Sequence, residues 1–285
     1  MEYRTHRMPA TLLHDVKPIT MALREIKTII LVGAGRVATQ LALAFTGKGP
    51  VIAQVWSRTL GTARKLADIL QTDYTSDFQD ITPHGDFYLV CVPDYAIGEV
   101  ARGLSLHNDQ LLAHTSGSVA MDVLKAYSHN TGVFYPLQTF SPGRVITFDH
   151  VPLLIEASDF HNRKLLLSLA GKVSDQVIAL DSEKRKYAHL AAVFASNFSN
   201  FMYSIAGEIL AIKGLSFDLL RPLIEETAAK VQSREPFSVQ TGPAMRHDEA
   251  VIREHLRLLA EKEDLATIYR MMSEMINRYT DKIPK

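Results

Sequence analysis

The chain has 285 residues, 47% hydrophobic and 22% charged, with 31 Lys plus Arg against 31 Asp plus Glu. That length accommodates two domains with a sizeable core, and the charge balance offers no global field to gather nucleic acid or anionic lipid. One cysteine, Cys91, excludes an internal disulfide and a cysteine metal cage, no apolar run reaches the ~20 residues of a bilayer span, and a reducing cytoplasm is the expected compartment.

Residues 1–24 lack the apolar core of a secretory signal and read as an N-terminal extension, either a polar arm or a start placed upstream of Met21. From Ile26 to about Leu180, short apolar runs alternate with helical stretches: IKTIILVG, VIAQVWS, FYLVCVP, QLLAHTS, GVFYP, VPLLIEA and QVIAL. Continuous apolar strands suit a sheet covered on both faces, and their alternation with helices predicts a doubly wound, mostly parallel sheet over residues 25–180.

The stretch LVGAGRVATQLALAF joins the first strand to the first helix. Gly33 permits a tight turn, Gly35 lets the backbone approach a pyrophosphate, and Ala38 is small enough for close helix–strand packing. The helix N-terminus adds free N–H groups and partial positive charge. Gly33, Ala34, Gly35, Arg36 and Val37 are therefore the expected cofactor cradle; the competing reading is a turn in an unrelated α/β fold. At the end of the second strand, where NAD sites place a carboxylate on the ribose, this chain has Ser57 and Arg58. Arg58 can pair with a 2′-phosphate, with Ser57 or Thr59 donating, which predicts NADP(H) rather than NAD(H).

The run FYLVCVP ends at Val92 and Pro93, the expected edge of the cofactor cleft, and buries Cys91 as a core thiol. Asp94 reads as a turn or capping residue. In HTSGS, Ser116 is a candidate substrate ligand, and Ser118 is placed to cap a helix over VAMDVLKAY. Gln138 in YPLQTFSP is a second candidate for the rim.

After Leu180 the pattern turns helical, and residues 181–285 read as an all-α substrate and dimerisation domain. A long buried helix is predicted over Glu183–Leu210, followed by helices at Phe217–Gln232, Asp248–Lys262 and about Asp264–Tyr279. At 100° per residue, His189, Ser196, Asn200 and Tyr203 share one stripe of the long helix, with Asn197 to its side. His189, as an imidazole, is the candidate acid or base; Asn197 is a second candidate catalytic side chain and Asn200 a candidate substrate ligand. Each has a rival structural role, bonding within the core or between helices. In TGPAMRHDEAVIREHL, Gly242 and Pro243 mark a turn, Asp248 is a helix cap, and Arg246 is a candidate ligand for a substrate carboxylate. The eleven His are scattered without metal-binding spacing, so no metal is expected.

The glycine-rich turn, the SR ending strand two, CVPD and HTSG resemble the Rossmann half of an incompletely characterised bacterial family of NADP oxidoreductases. YPLQTFS, YAHLAAVFASNF and TGPAMRHD resemble its C-terminal helical domain of unknown function. More distantly the layout is similar to pyrroline carboxylate reductases, deazaflavin-dependent NADP oxidoreductases and β-hydroxyacid dehydrogenases. The resemblance implies an NADP-linked redox reaction and a helical domain that often dimerises. It departs from the β-hydroxyacid dehydrogenases at one point: their catalytic Lys, four residues before an Asn, has no counterpart, since Val193 and Ser196 precede Asn197 and Asn200. The leading expectation is an NADP(H)-dependent oxidoreductase acting on a small carbonyl or imine compound in a cleft between domains, as a homodimer. The alternative is a non-catalytic NADP(H)-binding sensor or interaction protein; a dehydratase or isomerase is a third reading.

Overall fold

The computed structural model describes residues 25–280, so the extension expected over residues 1–24 lies outside the described residues. The chain divides into two compact units between Ala192 and Val193. The first is built on β1 (Thr28–Val32), β2 (Val51–Trp56), β3 (Asp73–Thr75), β4 (Phe87–Val90), β5 (Leu111–His114), β6 (Thr131–Pro136), β7 (Leu153–Ala157) and β8 (Val177–Ala179). They form one sheet in the order β3-β2-β1-β4-β5-β6-β7-β8. The first six run parallel, and β7 pairs antiparallel with β6 and parallel with β8. All seven apolar runs are strands. The edge strand β3 has no such run, because its sequence is only DYT and it pairs with β2 on one side.

Successive side chains of a strand point to opposite faces, and β1 shows the result. Ile29 and Leu31 join a core with Leu41 and Phe45 of helix α1 (Arg36–Phe45), Leu66 of α2 (Leu60–Leu70) and Leu166 of α4 (Phe160–Ala170). Ile30 and Val32 join a second core with Ile97 and Ala101 of α3 (Ile97–Gly103) and with Leu124. Two covered faces explain why the strands carry unbroken apolar runs. Helix α4 starts at Asp159, whose side chain accepts from the Asn162 N–H.

The helix expected after Ser118 does not form; a single 3₁₀ turn spans Met121–Leu124. The Ser116 hydroxyl instead accepts the N–H groups of Ser118 and Val119 at 3.1 and 3.0 Å. The Val119 carbonyl takes the guanidinium of Arg185.

Helix α5 (Ser182–Ala192) closes the first unit. The second opens with a π-helical segment, Val193–Phe198, then α6 (Ser199–Ala211), α7 (Arg221–Ser233), α8 (Glu249–Leu258) and α9 (Glu263–Thr280). Among the described residues no strand follows β8. Asp248 caps α8, its Oδ1 accepting from Val251 N–H at 3.2 Å. The long buried helix is corrected in two ways. Its i→i+4 ladder is interrupted over Val193–Phe198, so a stripe drawn at 100° per residue does not continue unbroken through it. Its apolar side chains Leu190, Phe194, Phe198 and Phe201 are exposed, and Arg185 is the buried residue of α5. Apolar composition expresses a demand for burial that the described residues of this one chain do not meet there.

Candidate active site

The carboxyl ends of β1, β2 and β4 carry the expected cofactor cradle. Gly33 has φ +124°, and a Cβ there would lie 2.3 Å from the Cys91 carbonyl oxygen, so only glycine fits. Its N–H donates to the Trp56 carbonyl at 2.7 Å, tying the turn to the end of β2. A Cβ on Gly35 would meet nothing within 4 Å. Gly35 is also the N-cap of α1, with no side-chain cap and no acidic residue in the first turn. The turn thus presents open backbone and the positive end of a helix, while Ala38 is fully buried against the sheet. Ala34 and Val37 are half-buried, and Arg36 and Arg58 are exposed. Ser57 donates its N–H to Thr75 at 3.2 Å, which holds it at the end of β2. Val92 is half-buried and Pro93 exposed where the chain leaves β4. Burial pushes the Cys91 thiol up to about 12, so it remains a neutral core group.

A polar cluster occupies the ends of β5, β6 and α5. His114 is fully buried, and its Nδ1 accepts the Ser116 N–H at 3.1 Å. Burial and the Arg185 charge bring its pKa down to about 4, so it is neutral at pH 7. Ser116 is buried with its hydroxyl spent on the loop, and Ser118 donates to Asp94. Arg185 is 1% exposed. It pairs with Glu156 of β7 and donates to the Val119 carbonyl and, at 3.2 Å, to the Ser182 hydroxyl. Ser182 in turn donates to Glu156 at 2.8 Å. One buried ion pair therefore fixes the start of α5 to β7 and to the loop after β5. One turn later, His189 Nδ1 lies 2.9 Å from the Tyr135 hydroxyl of β6, the rings edge to face at 5.9 Å. A Cβ on Gly117 would fall 2.7 Å from Tyr135 and 2.8 Å from His189, so the loop backbone is pressed against both rings. Burial and the Asp94 carboxylate raise the Tyr135 pKa, keeping its hydroxyl protonated.

His189, Ser116, Val92 and Pro93 all belong to the first unit. Gln138 is exposed there, its Oε1 accepting the Thr139 N–H at 2.8 Å. Asn197, Asn200 and Arg246 belong to the second unit and are exposed. Asn197 lies in the π-helical segment, Asn200 lines a groove with Tyr203, Phe217 and Arg221, and Arg246 ends a 3₁₀ turn. Sequence reasoning missed Tyr135, Arg185 and Glu156. Tyr135 sits in GVFYP and reads as core, Arg185 sits in EKRKY and reads as a solvated helix start, and Glu156 is the one charge in VPLLIEA. A lone charge in an apolar run is the signal available in advance, since a buried carboxylate needs a partner. Among the described residues no group of three His, Cys, Asp or Glu is arranged to hold a metal ion, and no helix is long and apolar enough to cross a membrane.

Six parallel strands in the order 3-2-1-4-5-6, with a glycine-shaped turn leading into an uncapped helix N-terminus, define a Rossmann-type dinucleotide-binding fold. Residues 28–116 match the family of NADP oxidoreductases described as coenzyme F420-dependent, and residues 151–276 match a domain of unknown function, DUF2520. A Bacteroides fragilis protein with the provisional designation NADP oxidoreductase is 43% identical, with a TM-score of 0.84 over 89% of this chain and 98% of that one. The chain belongs to this family, in which the Rossmann domain is joined to DUF2520. Two more distant structures share the fold. A reductive aminase from Aspergillus terreus in complex with NADPH is 14% identical, TM-score 0.67, over 91% of this chain and 95% of that one. An imine reductase from Myxococcus stipitatus in complex with NADP+ is 18% identical, TM-score 0.59, over 90% and 93%. No protein of curated function matches the sequence.

Proposed function

We propose that the chain is an NADP(H)-dependent oxidoreductase that transfers hydride to or from a small carbonyl or imine compound. The β1–α1 turn carries the cofactor part of the reading: Gly33 is required by the backbone, whereas Gly35 leaves space beside uncapped N–H groups. In this reading Gly33, Ala34, Gly35, Arg36 and Val37 hold the pyrophosphate. Ser57 and exposed Arg58 hold the 2′-phosphate, and Val92 with Pro93 edges the site. A nicotinamide cofactor supplies or accepts the hydride. The designation of the Bacteroides fragilis relative supports the redox assignment, and the named activities of the aminase and imine reductase suggest the substrate class.

His189 is the proposed proton donor or acceptor, held on α5 beside Tyr135. Its replacement, His189→Gln, is expected to lower turnover by about 10²–10⁴, the range of a positioned acid or base, while NADPH binding stays near wild type. The test is NADPH consumption across a panel of keto acids, aldehydes and imines. Substrate-dependent oxidation supports the reading; binding without consumption on any member supports a sensor instead. Self-association belongs to the same proposal, because Phe194, Phe198, Phe201, Leu219 and Leu223 are exposed on the helical unit. Light scattering at micromolar concentration is expected to give a dimer, and a monomer contradicts this part.

A further inference from the structure

We infer that Tyr135 is the positioning residue of His189: its hydroxyl donates to Nδ1 and holds the imidazole as the Nε2–H tautomer. This rests on the reading of His189 as the proton-transfer group. The Tyr135 oxygen and Nδ1 are 2.9 Å apart, and no second partner of that hydroxyl is present among the described residues. A phenol has one proton. If Nδ1 carried its own hydrogen and donated to the oxygen, the phenolic proton of a half-buried side chain would be left without a protein acceptor. Burial, with the Asp94 carboxylate adding to it and Arg185 opposing it, keeps that proton on the phenol. The donor is therefore Tyr135 and the acceptor Nδ1.

The consequence is chemical. In a neutral imidazole whose Nδ1 accepts, Nε2 bears the hydrogen. That nitrogen lies across the ring from Tyr135, so the N–H available to a substrate heteroatom points away from the positioning bond. Two further features keep the arrangement in place. Gly117 leaves no slack, since a Cβ there would sit 2.7–2.8 Å from both rings. Arg185, one turn earlier on α5, anchors the helix through Glu156 and the Val119 carbonyl. The pair is thus clamped by the loop after β5 and by the start of α5.

The test reads the tautomer directly, with no substrate. Nitrogen-15 spectra of the full chain labelled at histidine, with His189 assigned through His189→Gln, should give a pyridine-like Nδ1 and a pyrrole-like Nε2. Tyr135→Phe removes only the hydroxyl and should lower the Nε2–H to Nδ1–H ratio by about three- to tenfold, the weight of one hydrogen bond. Gly117→Ala, which pushes on both rings, should do the same by a different route. A wild-type His189 with the hydrogen on Nδ1, or a ratio unchanged in Tyr135→Phe, overturns the inference. Once a substrate is known, turnover distinguishes the two readings. A tautomer shifted in Tyr135→Phe with turnover untouched upholds the positioning by Tyr135 and refutes proton transfer by His189.

Discussion

Gly33 and Gly35 stand two residues apart in one turn, yet substitution to alanine should separate folding from binding. At Gly33 the new Cβ falls 2.3 Å from the Cys91 oxygen and 2.7 Å from its carbonyl carbon, at φ +124°. The clash is with backbone that cannot step aside freely. Cys91 N–H donates to Val32 at 2.8 Å, and Gly33 N–H donates to Trp56 at 2.7 Å. Backbone strain costs ~1–3 kcal/mol, and a weakened hydrogen bond adds about 1 kcal/mol. Together that is about 2–4 kcal/mol, or a Tm lower by roughly 5–15 °C at ~2–4 °C per kcal/mol. At Gly35 the Cβ meets nothing within 4 Å, and φ is −79°, which alanine adopts without strain. Alanine there costs about 1 kcal/mol or less as a poorer N-cap. Thermal melting by circular dichroism without cofactor, paired with NADPH titration, measures both. Gly35→Ala should melt within a few degrees of wild type and bind NADPH at least about tenfold more weakly, since its cost falls on the approach to phosphate. Equal melting of the two variants, or unimpaired binding by Gly35→Ala, refutes the division of labour.

Arg185→Met should destabilise by about 3–5 kcal/mol in urea melts, because it strands a nearly buried Glu156 carboxylate, whereas Arg185→Met with Glu156→Leu should recover most of that. His114 is neutral in the fold with a pKa near 4 against an ordinary 6.5, so the unfolded chain binds the extra proton first as pH falls. Stability should therefore drop between pH 6.5 and pH 4, by about 3 kcal/mol in total, and His114→Gln should flatten that segment of the profile. Cys91, buried with its thiol pKa about 12, should resist iodoacetamide at pH 8 in the native protein and react fully after denaturation.

How much of this was legible in the sequence depended on whether the signal was local. Unbroken runs such as TIILV and FYLV announced strands covered on two faces, and Gly33 and Ala38 announced a turn whose constraints lie within a few residues. The strand Asp73–Thr75 escaped because three residues at a sheet edge carry no pattern. Ser118 looked like a helix cap on local chemistry alone. In the fold its hydroxyl donates instead to Asp94, 24 residues upstream, and the Val119 carbonyl takes Arg185, 66 residues downstream. Tyr135 and His189 are 54 residues apart, so nothing in either neighbourhood marks them as partners. Helical spacing placed His189 on a polar stripe, but a π-helical segment cannot be read from a 3.6-residue period.

The central claim is that the Ser57–Arg58 end of β2 selects a 2′-phosphate, making the fold an NADP(H) site. Calorimetric titration of NADPH and NADH into wild type and Arg58→Ala tests it most directly. Loss of a charge-assisted phosphate contact, ~1.5–3 kcal/mol, should weaken NADPH by about 10- to 150-fold and leave NADH nearly unchanged. Equal wild-type affinity for the two cofactors, or an Arg58→Ala protein that still prefers NADPH as strongly as wild type, contradicts the account.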